Sequence, residues 1–536
     1  MSPTAFNPIN PYASQRSSVM ARNIVASSQP LAAAAGARMF ARGGNAIDAA
    51  VAAAITLTVT EPTMNGIGSD GFSLIWDGER LHGLNSSGRS PAGWKRERFA
   101  GLESMPAYGW DSVTVPGAVA QWLALSKKFG RLPFADLFEP AIRHARDGFA
   151  IAPIVARQWQ AYGQGDLVEQ PGFRQAFMHL GRAPRAGERW RFADQARTLQ
   201  EIAQSAGESF YRGRLAKAMA DFSKSCGGIM TEADLAAHEA NWVTPISQNY
   251  RGYTIHEIPP NGQGIAALIA LGILERLPVK DTKPDSPERL HLQIEAMRLA
   301  FADAHAHVAD PDNMLVTPAE LLDQRYLDGR ARLVDLKRAQ HYPAGSPIRG
   351  GTVYLCAADQ EGRMISLIQS NFKGFGSGVV VPGTGISMQN RGSGFTLQAG
   401  HPNEVAPRKR PFQTIIPAFM TREGRPVMAF GVMGGNMQPQ GHMQVAMRYL
   451  EDGSNVQACI DAPRWRIDDV GQLTVEAEMP DSTVKGLVAL GHKVLVQPRG
   501  AMEFGSSQMI ARLSEDLADG YVAGSDPRRD GHAAAM

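Results

Sequence analysis

The sequence predicts a mixed α/β fold of the α+β kind, on three observations. Thr352 to Ala358 and Arg363 to Ser370 read as two strands of a hairpin around the turn Asp359-Gln360-Glu361-Gly362. Phe72 to Trp76 and Arg80 to Leu84 repeat the pattern around Asp77-Gly78-Glu79. Between and around the hairpins lie long helical patterns, of which Ala46 to Ala54 is apolar nearly all round and therefore predicted to be buried.

Taken in order, Pro30 to Thr60 is a helical stretch interrupted at Gly43-Gly44-Asn45, where one helix should end and the next begin. The glycines of Gly66-Ile67-Gly68-Ser69-Asp70-Gly71-Phe72 do not make a phosphate loop, because no strand, glycine loop, helix and lysine follow in that order. Pro116 to Phe129 and Ala135 to Gly148 are amphipathic helices, and Ile151 to Ala186 reads as helix and loop of a lid-like insertion. Thr231 is an N-cap, Arg251 to Glu257 a strand, and Pro259 to Gly264 a turn into an apolar helix. Ser286-Pro287-Glu288 opens another helix with cap, proline and acid in their favoured places.

That helix carries His291, Glu295, Asp303, His305 and His307. Read as metal ligands they lack a completing partner at helical spacing, so a solvated helix face is expected and no metal. Residues 331 to 349 read as an exposed linker suited to processing. Val427 to Val432 is a strand that runs into Met433-Gly434-Gly435-Asn436, and Met437 to Leu450 is helical. Backbone N–H groups at such a helix start are good anion binders.

Length and composition narrow the class. A chain of 536 residues exceeds one ordinary core, and composition alone suggests two to four domains. A formal net charge of +2 does not support nucleic-acid binding, and the basic cluster Arg408-Lys409-Arg410 is expected in a solvated loop. Cys226, Cys356 and Cys459 are too few and too dispersed for a disulfide framework or a zinc motif. Met1 to Met20 has no cationic start followed by an apolar run, so no signal peptide and a cytoplasmic location are expected. Ala49 to Val59 is too short to span a bilayer, and no membrane role is expected.

Arg349-Gly350-Gly351-Thr352-Val353-Tyr354-Leu355, Ser370 to Gly378 and Val380 to Ile386 together resemble the γ-glutamyltransferase (glutathione hydrolase) family of N-terminal-nucleophile hydrolases. So do Gly43 to Ala53, Glu61-Pro62 with Gly66 to Phe72, Leu84 to Ala92 and Gly524-Ser525-Asp526-Pro527-Arg528, and the resemblance runs from about Val25 to Gly531. It implies a four-layer αββα sandwich of two stacked, mainly antiparallel sheets flanked by helices. It also implies a proenzyme cut between Gly351 and Thr352 into fragments 1–351 and 352–536, which stay together as a heterodimer forming one folded unit, with higher assembly left open.

In that scheme Thr352 is the nucleophile and, once the chain is cut, its own α-amine is the base. A free α-amino group titrates at about 8, close to working pH. Gly434 and Gly435 match the oxyanion hole, and Ser370 a hydroxyl that orients the nucleophile. The resemblance implies a small-molecule amide substrate and no cofactor.

The departures fall on the substrate side. The family's arginine for the substrate carboxylate aligns with Ser87, with Arg89 displaced by two. Gly394 stands where an aspartate takes the α-amino group, Gln413 and Thr414 replace two serines, and Phe372 matches an asparagine. Without its amine acceptor the site should lose discrimination for an α-amino acid. Arg89, Arg391, Gln413 and Thr414 are instead expected to receive a small non-glutamyl amide. Glutathione hydrolase proper, an oxamate amidohydrolase and a cephalosporin-type acylase are the alternatives, and an inactive binding protein of the same fold is the reading from another class.

Overall fold

A computed structural model describes residues 15–178, 181–340, 351–468 and 470–536. The expected linker at 331–349 therefore falls partly outside the described residues; its beginning is the end of a helix, Gln324–Ala331.

Two seven-stranded sheets form the centre. The first contains β1 (Val19–Ala21), β6 (Ile246–Tyr250), β7 (Tyr253–Glu257), β10 (Ala418–Arg422), β11 (Arg425–Met433), β12 (Ser506–Arg512) and β13 (Tyr521–Ser525). The second contains β2 (Ile24–Ser27), β3 (Asp70–Trp76), β4 (Leu81–Ser86), β5 (Asn241–Val243), β8 (Gly351–Ala358), β9 (Met364–Phe372) and β14 (His532–Ala535). Their orders are β1-β13-β12-β11-β10-β7-β6 and β14-β2-β8-β9-β3-β4-β5, and the pairings are antiparallel.

Period-2 alternation assigns each strand residue to a layer. On β8, Val353, Leu355 and Ala357 join the core under α1 (Pro30–Ala41) and α2 (Ala46–Thr60). Tyr354, Cys356 and Ala358 point the other way, into a core shared with Phe419, Ala429, Met433 and Ile510 of the opposite sheet. On β11, Met428, Phe430 and Val432 pack instead on α3 (Gly264–Glu275), α4 (Pro287–His307) and α5 (Met437–Leu450). Three cores between four layers make the αββα sandwich. Gly431 is required where the two sheets approach, since a Cβ there would lie 2.5 Å from the Tyr354 ring.

Helix boundaries follow local chemistry. Asn45 caps α2 and forms a capping box with Asp48, and all fifteen residues of that helix are buried. Ser286 caps α4 ahead of Pro287, and Thr231 closes a capping box with Asp234.

Two sequence expectations are corrected. Lys409 and Arg410 are buried at 7% exposure, because Lys409 Nζ donates to the carbonyls of Pro402 and Glu404, and Arg410 Nε to that of Ser87. Arg410 Nη2 also donates to Asn241 Oδ1. Likewise α4 does not present a solvated histidine face: His291, Glu295 and Asp303 are buried, and Asp303 pairs with Arg330. Fixed polar partners replace water in both places, which composition alone does not reveal.

At the end of α2, Glu61 is fully buried, and Ser28 Oγ donates to its Oε2 at 2.6 Å. Burial lifts its carboxyl from 4.5 to about 7, against the opposing pull of Ser28 and Arg529. A raised carboxyl adds stability that is complete below the unfolded value and is lost as pH rises through the folded one. Relative to Glu61→Gln, the wild type is therefore expected to lose roughly 3 kcal/mol between pH 4.5 and 7, at about 1.4 kcal/mol per pH unit. Urea unfolding of both proteins across that range checks this, and a difference that stays flat would refute it.

Candidate active site

Thr352 lies near the start of β8, at a register shift between Gly351 and Val353 opposite β9. Such a bulge redirects one side chain out of the ladder. The Thr352 side chain is 1% exposed; its Oγ1 donates to Ser370 Oγ at 3.3 Å and accepts from Gln438 Nε2 at 3.2 Å. Ile416 N donates to Gln438 Oε1, which fixes the amide with its NH2 toward the threonine. Ser370 Oγ also accepts from Phe372 N at 2.7 Å, across a Phe372 in the left-handed region at φ 82.

The strand end of β11 meets α5 beside this hydroxyl. Gly434 and Gly435 take φ of 124 and 62, conformations open to glycine. Their carbonyls accept from Met437 N and Gln438 N, and Gln263 Nε2 donates to the Gly435 carbonyl at 3.0 Å. With carbonyls turned into the helix start and α5 running away from the site, the local dipole favours an anion.

Thr352, Gly434 and Asn436 line one cleft of about 450 Å³. Its walls combine Tyr108, Tyr162 and Leu167 with Lys373, Arg466 and Arg529, and with Asp468 and Glu503. Tyr162 and Leu167 come from the segment read as a lid-like insertion, which folds into Pro153–Tyr162 and Phe173–Phe177 helices.

A second polar cluster lies behind Phe372. Arg391 is 1% exposed, its guanidinium 4.6 Å from the Phe372 ring centre, and its Nη1 donates to Thr414 Oγ1 at 2.9 Å. Arg391 Nε and Nη2 have no hydrogen-bond partner among the described residues. Asp70 completes the cluster, accepting from Gln413 Nε2 and from the N–H groups of Gly88 and Gly117. Burial raises Asp70 to about 6 while Arg391 pulls it down, and burial lowers Arg391 to about 9 while Asp70 holds it up.

Of the residues named from sequence, Thr352, Ser370, Gly434 and Gly435 come together, and Arg391, Gln413 and Thr414 form the neighbouring cluster. Gln263 ties the two, donating to the carbonyls of Thr414 and Gly435. Arg89 stands apart: it is 40% exposed and donates from Nη1 to Asp310 and to the Arg408 carbonyl. Sequence reasoning missed Gln438 and Asp70. Gln438 follows the paired glycines by one helical turn, a usable signal, whereas Asp70 sits inside the glycine-rich motif with nothing to mark its burial. The cationic cleft residues Arg466 and Arg529 carried no sequence signal.

The family model for gamma-glutamyltranspeptidase matches residues 32–536. The chain belongs to the gamma-glutamyltranspeptidase family. It is 36% identical to the glutathione hydrolase-like YwrD proenzyme of Bacillus subtilis, over 97% of this chain and all of the relative. It is 35% identical to the oxamate amidohydrolase proenzyme of Klebsiella pneumoniae, covering 97% of this chain and 99% of that one. A cephalosporin acylase from Bacillus halodurans superposes with a TM-score of 0.93 at 46% identity, over 99% of both chains. As a member of the gamma-glutamyltranspeptidase family the protein is an amide-hydrolysing enzyme with the N-terminal-nucleophile fold. Among the described residues no helix is long and apolar enough to cross a membrane.

Proposed function

We propose that the protein is a self-processing amidohydrolase that acts through an acyl-enzyme on Thr352. The observation that carries this reading is the Thr352 hydroxyl held between Ser370 and Gln438 in the wall of the cleft that also contains Gly434. In the uncut chain the same hydroxyl attacks the Gly351 carbonyl, the Thr352 nitrogen leaves as a free amine to give an ester between Gly351 and Thr352 Oγ1, and water hydrolyses that ester to the Gly351 carboxylate and the restored hydroxyl. Fragments 1–351 and 352–536 then remain joined as one folded unit. The interleaving of β2, β8, β9 and β3 in one sheet supports this, since neither fragment holds a complete sheet.

In turnover the freed α-amine of Thr352 takes the hydroxyl proton as Oγ1 attacks the substrate carbonyl. The backbone N–H groups at Gly434 and Gly435 stabilise the oxyanion, and the proton passes to the departing amine. Water, deprotonated by the same α-amine, then releases the acid and restores the threonine.

The substrate is a non-glutamyl amide with a small anionic acyl end. The Nε and Nη2 of buried Arg391, without a partner among the described residues and beside Thr414, supply the donors a carboxylate needs, and Gly394 supplies no amine acceptor. The wider cleft, with Lys373, Arg466 and Arg529 around aromatic walls, is open to a larger leaving group. The names of two similar proteins, an oxamate amidohydrolase and a cephalosporin acylase, support this reading.

Intact mass of the purified protein, followed by ammonia or amine release from glutathione, glutamine, oxamate and anionic acyl amides, tests the reading. Two fragments divided before Thr352, with turnover of oxamate or acyl amides and little of glutathione, are expected. An uncut chain would sink the self-processing, and faster turnover of glutathione than of the acyl amides would sink the assigned substrate class.

A further inference from the structure

Outside the cleft, the α4 face that sequence reading left to solvent brings three metal-binding side chains together. His291 and Glu295 stand one turn apart on α4, and His492 reaches them from the turn after α6 (Asp481–Ala489), where its N–H donates to the Leu487 carbonyl. All three are buried, and one ligating atom from each lies within 4.8 Å of the others. We propose that His291, Glu295 and His492 form a site for a divalent transition-metal ion of the zinc class, fastening α4 to the turn after α6.

The hydrogen bonds around the cluster prepare His291 as a ligand. Its Nε2 lies 2.7 Å from the Asp335 carbonyl, which only accepts, so Nε2 carries the proton and the lone pair sits on Nδ1. Metal-bound histidines are held by this kind of N–H to carbonyl contact. His291 Nδ1 faces His492 Nε2 at 2.8 Å, and with Nδ1 unprotonated the proton between them belongs to His492. A tetrahedral zinc with Zn–N bonds of about 2.0–2.1 Å separates two nitrogens by about 3.3 Å, so the rings open by roughly half an ångström. The displaced proton moves to His492 Nδ1, which is buried and has no partner among the described residues, so the ring stays neutral as it ligates.

The carboxylate supplies the negative charge and the third ligand. Glu295 Oε2 accepts from Gln340 N at 3.0 Å, and Arg298 Nε lies 3.9 Å from Oε1. Arg298 is the competing cation, and the ion draws the carboxylate from it. Two imidazoles and one carboxylate suit zinc and its neighbours, not magnesium or calcium, which prefer oxygen alone. Given the cleavage proposed above, His291 and Glu295 belong to one fragment and His492 to the other. The ion then bridges the two fragments beside the segment Asp335 to Gln340, which leads toward the cut.

Tag-free protein, stripped with a chelator and titrated with Zn²⁺ by calorimetry and with Co²⁺ by visible absorption, tests the site without any activity assay. One equivalent bound, with a Co²⁺ spectrum of tetrahedral intensity, is expected. His492→Gln and Glu295→Gln should each weaken binding about 10- to 100-fold. His307→Gln, on the same helix outside the cluster, should leave it unchanged and serves as the folding-matched control. Absence of stoichiometric binding, or binding indifferent to His492→Gln and Glu295→Gln in folded protein, would overturn the proposal and leave a hydrogen-bonded histidine pair only.

Discussion

Thr352→Ala is expected to give a chain that stays whole at 536 residues and turns over no amide. Removing the nucleophile of a hydrolase that works through an acyl-enzyme costs on the order of a millionfold in kcat. The fold should survive, because the buried Thr352 hydroxyl makes two long hydrogen bonds of 3.3 and 3.2 Å, together contributing about 1–3 kcal/mol. Mass spectrometry and a thermal melt on the same sample separate chemistry from folding. Thr352→Ser is the companion variant, which keeps the hydroxyl and should keep both cleavage and turnover at lower rate. Turnover by a folded Thr352→Ala protein would show that another group attacks the amide.

Gly434→Ala is expected to lower kcat by about 10²- to 10³-fold with little change in KM. Gly434 sits at φ 124, where an added Cβ would come within 3.0 Å of Gly505 Cα and 3.3 Å of Met437 Cβ. Holding alanine there costs about 1–3 kcal/mol, and relief of that strain turns the peptide away from the developing oxyanion. One lost oxyanion donor typically costs about 3–4 kcal/mol of transition-state stabilisation. Because that interaction strengthens only as charge develops, the loss falls on kcat. Steady-state kinetics on pre-cleaved enzyme, with cleavage followed separately by mass, checks the assignment. A rise in KM at constant kcat would place Gly434 in ground-state binding.

The buried charges Asp70 and Arg391 show why the molecule needs its tertiary structure to be read. Asp70 and Arg391 are more than three hundred residues apart in sequence, and each is fully buried. They are tolerable there because Asp70 accepts two backbone N–H bonds and one from Gln413, while Arg391 stacks on Phe372 and bonds to Thr414. Gly88 and Gly117 let those backbones approach: a Cβ on Gly88 would lie 1.5 Å from the Val115 carbonyl oxygen, and one on Gly117 1.6 Å from that of Ser86. Nothing in the local sequence around Asp70 distinguishes such a carboxylate from a turn residue.

The sequence by itself determined the elements and their kind. Alternation marked β8 and β9, alanine content and Asn45 marked α2, and Ser286-Pro287 marked the start of α4, because these signals act within one helical turn or one strand. Family likeness carried the αββα layering and the pairing of Thr352 with Gly434 and Gly435. Only the tertiary structure decided which charged groups lose their water. Lys409, Arg410, His291 and Glu295 look like surface residues in one dimension, yet Lys409 is buried with its ammonium on carbonyls of its own loop, and the other three are buried against groups contributed by distant segments. Desolvation is a property of everything that surrounds a group, and for Arg410, His291 and Glu295 those surroundings come from across the chain.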